Sequence, residues 1–287
     1  ECLNGLFVII RKGGMMSFRD RFASLRKEKK TVLCVGIDPA LPKQRDSNTI
    51  PEKYLDVDDE NEARLNFCLD IIDVVKDYAV AIKPNQQYIF GFTKRQHREL
   101  ADSIRQADML SILDYKLNDI SDTVESAIFH ISESGYDATT FNPLPGNLKD
   151  AVQLTHDSAR RMRGYELGII VLTLMSNPEA VTFMKDAKIG RWPLFRFISR
   201  QVRDCDADGV VVGATGHVTE KDIKSIRRIV GPDKVFLIPG IGAQKGDVRK
   251  VLKAAGENIL INVGRDIIYS ENPKSKAEVY YTMLASY

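Results

Sequence analysis

Met109-Leu-Ser-Ile-Leu113, then Asp114-Tyr-Lys116-Leu-Asn-Asp119-Ile120, then Thr123-Val-Glu-Ser-Ala-Ile-Phe-His-Ile-Ser-Glu-Ser134, then Asp137-Ala-Thr-Thr-Phe141 follow one another along the chain. A short apolar run, a charged end, a segment with helical spacing and a second apolar run make one strand–helix–strand unit. Working outward, the same alternation recurs. Apolar runs stand at Thr31–Ile37, Ala79–Lys83, Met109–Leu113, Asp137–Phe141, Gly168–Leu174, Gly209–Val212, Lys234–Ile238 and Asn258–Val263. They are rich in Val, Ile and Leu with little polar alternation, the pattern of strands buried on both faces of a parallel sheet. Helical spacing occupies Asn61–Tyr78, where Leu65, Leu69, Ile72 and Val75/Lys76 share one side, and also His97–Ala107, Thr123–Ser134, Pro193–Cys205, Thr219–Val230 and Asp247–Ala255. Eight repeats of strand and helix favour an α/β fold of the (β/α)8 TIM barrel type, with an open doubly wound sheet as the alternative.

The chain has 287 residues, close to the about 250 that such a barrel needs. Residues 1–15 read as a leader or expression remnant, a targeting extension being the alternative, and residues 16–287 as a single catalytic barrel domain. With 41 Lys+Arg against 39 Asp+Glu, the net charge of +2 gives no electrostatic footprint for nucleic acid or an anionic membrane. No run approaches the about 20 apolar residues of a membrane span. Cys2, Cys34, Cys68 and Cys205 are scattered, and His97, His130, His156 and His217 lack metal-ligand spacing, so a zinc site and a disulfide scaffold are not indicated and a cytoplasmic location is expected.

A barrel enzyme builds its site at the carboxyl ends of its strands. Those ends carry Asp38, Lys83, Asp114 with Lys116 and Asp119, Asn142-Pro143, Ser176, Thr215, Pro239-Gly240 and Gly264-Arg265. Asp114 and Lys116 are two apart on a strand and so face the same way; Asp119 lies beyond the strand and its direction is not fixed. Carboxylates flanking a lysine keep it protonated, which suits proton donation to a carbanion and not Schiff-base attack. Pro239-Gly-Ile-Gly-Ala-Gln-Lys-Gly-Asp247 and Asn262-Val-Gly-Arg-Asp266 follow the last two strands, where barrels often bind phosphate. Gly240, Gly242 and Gly246 miss the dinucleotide spacing by one, which favours a phosphomonoester over NAD. Two long connections, Pro39–Asn61 and Ser176–Trp192, are candidate binding loops.

With these residues in place, the chain resembles the orotidine 5′-phosphate decarboxylase family. Asp114-Tyr-Lys116-Leu-Asn-Asp119-Ile120 is similar to the Asp-x-Lys-x-x-Asp-Ile signature, and Val-Gly-Ile-Asp38-Pro, Ile-Lys83-Pro-Asn, Thr-Phe-Asn142-Pro143, Pro239-Gly-Ile-Gly-Ala-Gln244 and Val-Gly264-Arg265 come in the family's order. The resemblance runs from about Phe18 onward and is to the longer-chain, bacterial-type branch. It implies a homodimeric barrel, without cofactor or metal, that converts orotidine 5′-phosphate to uridine 5′-phosphate in de novo pyrimidine biosynthesis. It implies Lys116 as proton donor to C6, Asp114 against the substrate carboxylate, and Asp38 and Lys83 on the ribose hydroxyls, Lys83 also extending the charged array. Asp119, Ile120 and Thr123 would cross into the partner's site; Asn142 would line the substrate site. Ser176 would bond the pyrimidine, Gln244 would reach from base to phosphate, Pro239 would line the pocket, and Gly264 with Arg265 would take the phosphate.

Two positions depart from the family pattern: Leu117-Asn118, where Arg-Gly is frequent, and Lys245, where glycine is frequent. Neither removes an implied functional group. The alternatives are a metal-dependent phosphosugar decarboxylase or aldolase on the same barrel, and a non-catalytic nucleotide-binding barrel.

Overall fold

The computed structural model describes residues 16–162, 166–241 and 248–285. The leader expected at residues 1–15 lies outside them. Eight parallel strands close into a barrel: β1 (Leu33–Ile37), β2 (Ala81–Pro84), β3 (Leu110–Leu117), β4 (Ala138–Phe141), β5 (Gly168–Leu174), β6 (Gly209–Val212), β7 (Val235–Pro239) and β8 (Ile259–Val263). Each strand pairs with its neighbours in chain order and β8 returns to β1, with Cys34 opposite Asn262. The open-sheet alternative is thereby excluded. All eight expected runs are strands, differing by a few residues at their ends.

Helices join the strands on the outside: α2 (Glu60–Val75), α3 (Lys94–Gln106), α4 (Ser121–Ser134), α5 (Leu148–Met162), α6 (Leu194–Asp204), α7 (Glu220–Val230) and α8 (Val248–Ala255), with α9 (Arg265–Ile268) and α10 (Pro273–Ala285) after β8. Capping boxes at Thr93/Gln96 and Thr219/Asp222 start α3 and α7, satisfying N–H groups that would otherwise lack partners. No described helix is long and apolar enough to cross a membrane.

The helix α1 (Phe18–Lys29), started by a Ser17 cap, precedes β1 and was not among the expected helical segments. Its Phe18 and Phe22 are buried with Ile112, Ile170, Leu237 and other side chains inside the barrel. A Cβ on Gly168 would come within 2.6 Å of the Phe18 ring, so that position must be glycine for the ring to seat. Arg19 pairs with Asp206 and Asp233, and Arg21 with Asp137 at 2.7 Å, clasping α1 to the barrel. A second core fills the space between strands and helices.

The long connections have structure of their own. The one after β1 contains a 3₁₀ turn at Glu52–Tyr54. The one after β5 contains a π-helical turn at Val181–Asp186 and a small hairpin pairing Lys188–Ile189 with Trp192–Pro193. Lys185 ties this turn to α7, bonding Asp222 at 2.6 Å and the His217 carbonyl.

Candidate active site

Parallel closure puts every strand's carboxyl end at one mouth, and three charged side chains meet there. Lys83 Nζ donates to Asp114 Oδ2 at 2.6 Å, and Lys116 Nζ lies 2.9 Å from Asp114 Oδ1. Lys83 and Asp114 are 7% and 8% exposed, whereas the Lys116 side chain is 46% exposed. The pair is buried and the second ammonium reaches into the mouth.

Burial alone would discharge these groups, and their mutual attraction reverses that. Burial disfavours the Lys83 ammonium, but Asp114 and Asp38 raise its pKa above the ordinary lysine value. Burial likewise pushes the Asp114 carboxyl up, but Lys83 and Lys116 outweigh it and hold the acid well below the usual carboxylate range. Asp114 is therefore an ion at neutral pH.

The sequence places Asp114 and Lys116 on one face by simple alternation; the structure reaches that result by another route. β3 continues through Leu117, past the expected end at Leu113, and its register against β4 shifts between those two residues. Lys116 has φ 56°, a left-handed backbone that costs a residue with a Cβ about 1–3 kcal/mol. Thr140 on β4 answers the irregularity: its Oγ1 accepts from the Lys116 amide at 2.8 Å and its hydroxyl donates to Asp114 Oδ1 at 2.9 Å. Asp114 thus receives Lys83, Lys116 and Thr140 together. Thr140 was absent from the expected site; the signal for it is a hydroxyl pair, Thr139-Thr140, inside an otherwise apolar run.

Asp38 follows β1, and its carbonyl accepts from the Tyr269 hydroxyl at 2.6 Å and from Arg45 at 3.2 Å. The Arg45 guanidinium sits over the Tyr88 ring at 5.1 Å and the Tyr269 ring at 5.5 Å. Arg45 in the long first connection and Tyr269 after α9 thus hold the Asp38 backbone together; sequence order, with more than two hundred residues between them, gives no sign of their meeting.

Asn142 follows β4, its amide donating to Leu117 O and its Oδ1 capping Leu144 N. Ser176 packs so tightly on the end of β6 that a Cβ on Gly213 would come within 2.7 Å of the Ser176 Cβ. Pro239 ends β7 and Gly264 caps α9. Arg265 opens α9, exposed beside a cavity of about 230 Å³ lined also by Asn48, Asp266, Tyr269, Ser270 and Lys276. Lys276 and Tyr280 occupy Asp266, and Arg265 forms no ion pair among the described residues. Gln244, like Gly242, Lys245 and Gly246, lies outside the described residues.

Asp119, Ile120 and Thr123 do not join the cluster of their own chain. All three are exposed at the rim, Asp119 Oδ1 accepts from the Ile120 amide, and Asn147 holds the Asp119 carbonyl at 3.0 Å. The array within one chain is therefore Lys83–Asp114–Lys116, without Asp119. Among the described residues no three His, Cys, Asp or Glu side chains are grouped to hold a metal ion.

Comparison with known proteins gives the family and the fold. The chain is 30% identical over 271 residues to an orotidine 5′-phosphate decarboxylase of Leptospira interrogans, covering 91% of this chain and 90% of that one. It is 32% identical over 278 residues to one of Cupriavidus taiwanensis, covering 91% and 93%. The solved structure of Leishmania donovani OMP decarboxylase superposes with a TM-score of 0.74 over 94% of this chain and 98% of that one at 23% identity, which speaks to the fold. Residues 31–280 match the model of the orotidine 5′-phosphate decarboxylase / HUMPS family, and the chain belongs to that family.

Proposed function

We propose that this chain decarboxylates orotidine 5′-phosphate to uridine 5′-phosphate in cytoplasmic pyrimidine biosynthesis, with Lys116 as the proton donor. The observation that carries the reading is the buried, ionised Asp114 held between Lys83 and Lys116 at the barrel mouth. Losing carbon dioxide breaks the bond from C6 to the carboxylate and leaves the electron pair on C6, in the ring plane and outside the π system. A fixed ammonium beside that carbon stabilises the developing charge, and such preorganised charge in a site closed to water is usually the largest catalytic contribution. Lys116 then gives a proton to C6 and is left as the neutral amine. Asp114 sits where the departing carboxylate lies, adding a repulsion that ends when carbon dioxide forms.

In the same reading Asp38 and Lys83 hold the ribose, Ser176 bonds the pyrimidine, Pro239 and Asn142 line the pocket, and Gly264, Arg265 and Gln244 hold the phosphate. Arg265, without an ion pair among the described residues, is suited to gripping two phosphate oxygens. The side chains supply the required charge, so no cofactor enters the scheme.

The reading includes a homodimer with shared sites. Asp119, Ile120 and Thr123 of a second copy complete each site, Asp119 supplying the second carboxylate beside Lys116. The rim that carries them also exposes Phe90 (80%), Leu144 (63%) and Ile120 (57%), apolar surface that association would cover.

The deciding experiment follows orotidine 5′-phosphate consumption by absorbance in EDTA. Turnover in the wild type, lost by more than about 10³-fold in Lys116→Ala, is expected from removal of the charge that stabilises the carbanion. Full activity in Lys116→Ala overturns the mechanism. Strict Mg²⁺ dependence with no turnover of this substrate selects the phosphosugar alternative. Mixing Lys116→Ala with Asp119→Ala restores part of the activity only if sites are shared between chains.

A further inference from the structure

Asn262 is a polar residue where a barrel interior ordinarily takes Val, Ile or Leu. It stands on β8 two residues after Leu260, which is buried inside the barrel, so alternation turns Asn262 the same way. On one side it pairs with Cys34 of β1, on the other with Pro239 of β7. Its amide lies flat against Gly36: a Cβ there would stand 3.0 Å from Asn262 Oδ1 and 3.1 Å from Nδ2. The Cys34 thiol donates to Oδ1 at 3.6 Å, which orients the amide by committing its oxygen. Burial raises the Cys34 pKa to about 12, so the thiol stays protonated as a donor. Nδ2 makes no hydrogen bond among the described residues, yet it is not one of the sealed, unsatisfied polar atoms, so it opens onto accessible space.

We infer that Asn262 is a substrate-binding residue whose Nδ2 donates to an oxygen of the pentose of the bound nucleotide. The inference rests on the function proposed above. Two residues beyond Asn262 lies Gly264 with Arg265, the proposed phosphate grip; across Gly36 lies its register partner Lys83, proposed above to hold the ribose and bonded to Asp114 beside the reacting base. Of a nucleoside monophosphate, the pentose is the part between phosphate and base. An amide donor kept in this layer without an acceptor among the described residues gains its partner when the sugar arrives.

The test measures inhibition of the full-length enzyme by uridine 5′-phosphate, ribose 5-phosphate and inorganic phosphate, in the wild type, Asn262→Ala and Asn262→Leu. Circular dichroism and Tm verify folding. Gly36→Ala, which leaves Asn262 in place but pushes its amide aside, is the second route to the same loss. The expected result is a 5- to 10-fold weaker inhibition by both uridine 5′-phosphate and ribose 5-phosphate, by a common factor, in every variant. KM for orotidine 5′-phosphate should rise with it, while inhibition by inorganic phosphate stays unchanged. Undiminished inhibition by ribose 5-phosphate overturns the inference, as does an equal weakening for inorganic phosphate. A wild type that turns over orotidine 5′-phosphate beside an unaffected Asn262→Ala removes this inference alone. A wild type that neither turns over that substrate nor binds uridine 5′-phosphate removes the underlying reading as well.

Discussion

Replacing Lys83 by methionine removes one charge of the buried pair while nearly keeping the side-chain volume. At 2.6 Å, with an effective dielectric constant of about 20, the gross attraction between Lys83 and Asp114 is about 6 kcal/mol. Most of that offsets the desolvation of two ions, so the pair itself adds little net stability, but breaking it strands a buried carboxylate at a cost of about 3–5 kcal/mol. Asp114 keeps Lys116 at 2.9 Å and the Thr140 hydroxyl at 2.9 Å, which places Lys83→Met at the lower end, about 3 kcal/mol. With a urea m-value of about 3 kcal/mol per molar, the midpoint of unfolding falls by about 1 M. Asp114→Asn strands the Lys83 ammonium instead and costs a similar amount. The double variant Lys83→Met/Asp114→Asn costs less than the sum of the single changes by about 1–3 kcal/mol, because neither charge is left alone. The advantage of the wild type over Lys83→Met is pH-dependent. Asp114 has a depressed pKa in the folded state, so its contribution is present above the ordinary aspartate value and lost as pH falls through that value toward the lower folded one. Urea titrations at neutral pH and below about pH 4 measure both effects. A Lys83→Met cost under about 1 kcal/mol, or strict additivity in the double variant, refutes the reasoning.

His97, whose Nδ1 lies 2.9 Å from the buried Tyr136 hydroxyl, has its pKa lowered by burial to about 4. Unfolding therefore takes up a proton between the ordinary histidine value and about 4; stability is complete above about pH 6.5 and declines below it by at most about 3 kcal/mol, a slope that should flatten in His97→Gln. If that variant keeps the wild-type slope in urea titrations across this range, His97 is not its source. Gly168→Ala places a methyl against the Phe18 ring and should cost about 1–3 kcal/mol, read as a lower Tm, with a compensating gain in the pair Gly168→Ala/Phe18→Leu. A double variant no more stable than the single one rejects the contact as the cause. Thr140→Val removes the donor to Asp114 and the acceptor of the Lys116 amide, and should lower kcat more than it raises KM. An unchanged kcat shows that Lys116 is positioned without it.

The strands and the mouth were legible from local pattern because both follow from periodicity. An apolar run flanked by amphipathic segments has one economical use in a parallel barrel, and the charges that end such runs must then converge. That reasoning reached Asp38, Lys83, Asp114 and Lys116 without coordinates. It missed α5, which belongs to the alternation, and α1, although Phe18, Phe22 and Leu25 recur at helical spacing, because a helix before the first strand is not part of that alternation; the plug is explained only by the open end of the barrel that Phe18 and Phe22 fill.

Sequence alone placed the eight barrel strands, to within a few residues at their ends, and the side chains that stand near their carboxyl ends, since these depend on the recurrence of apolar runs between amphipathic segments and on the direction of the chain. Tertiary structure alone decided how Lys116 reaches Asp114: a register shift and a left-handed residue, secured by a threonine from the next strand. It also decided that Asp119 faces outward from its own chain, and that Arg45 and Tyr269 grip the Asp38 carbonyl from opposite ends of the sequence. Closure of the barrel sets these, because bulges, side-chain bonds to backbone and donors such as Asn262 Nδ2, without an acceptor among the described residues, depend on which distant strands become neighbours, and no local pattern records that.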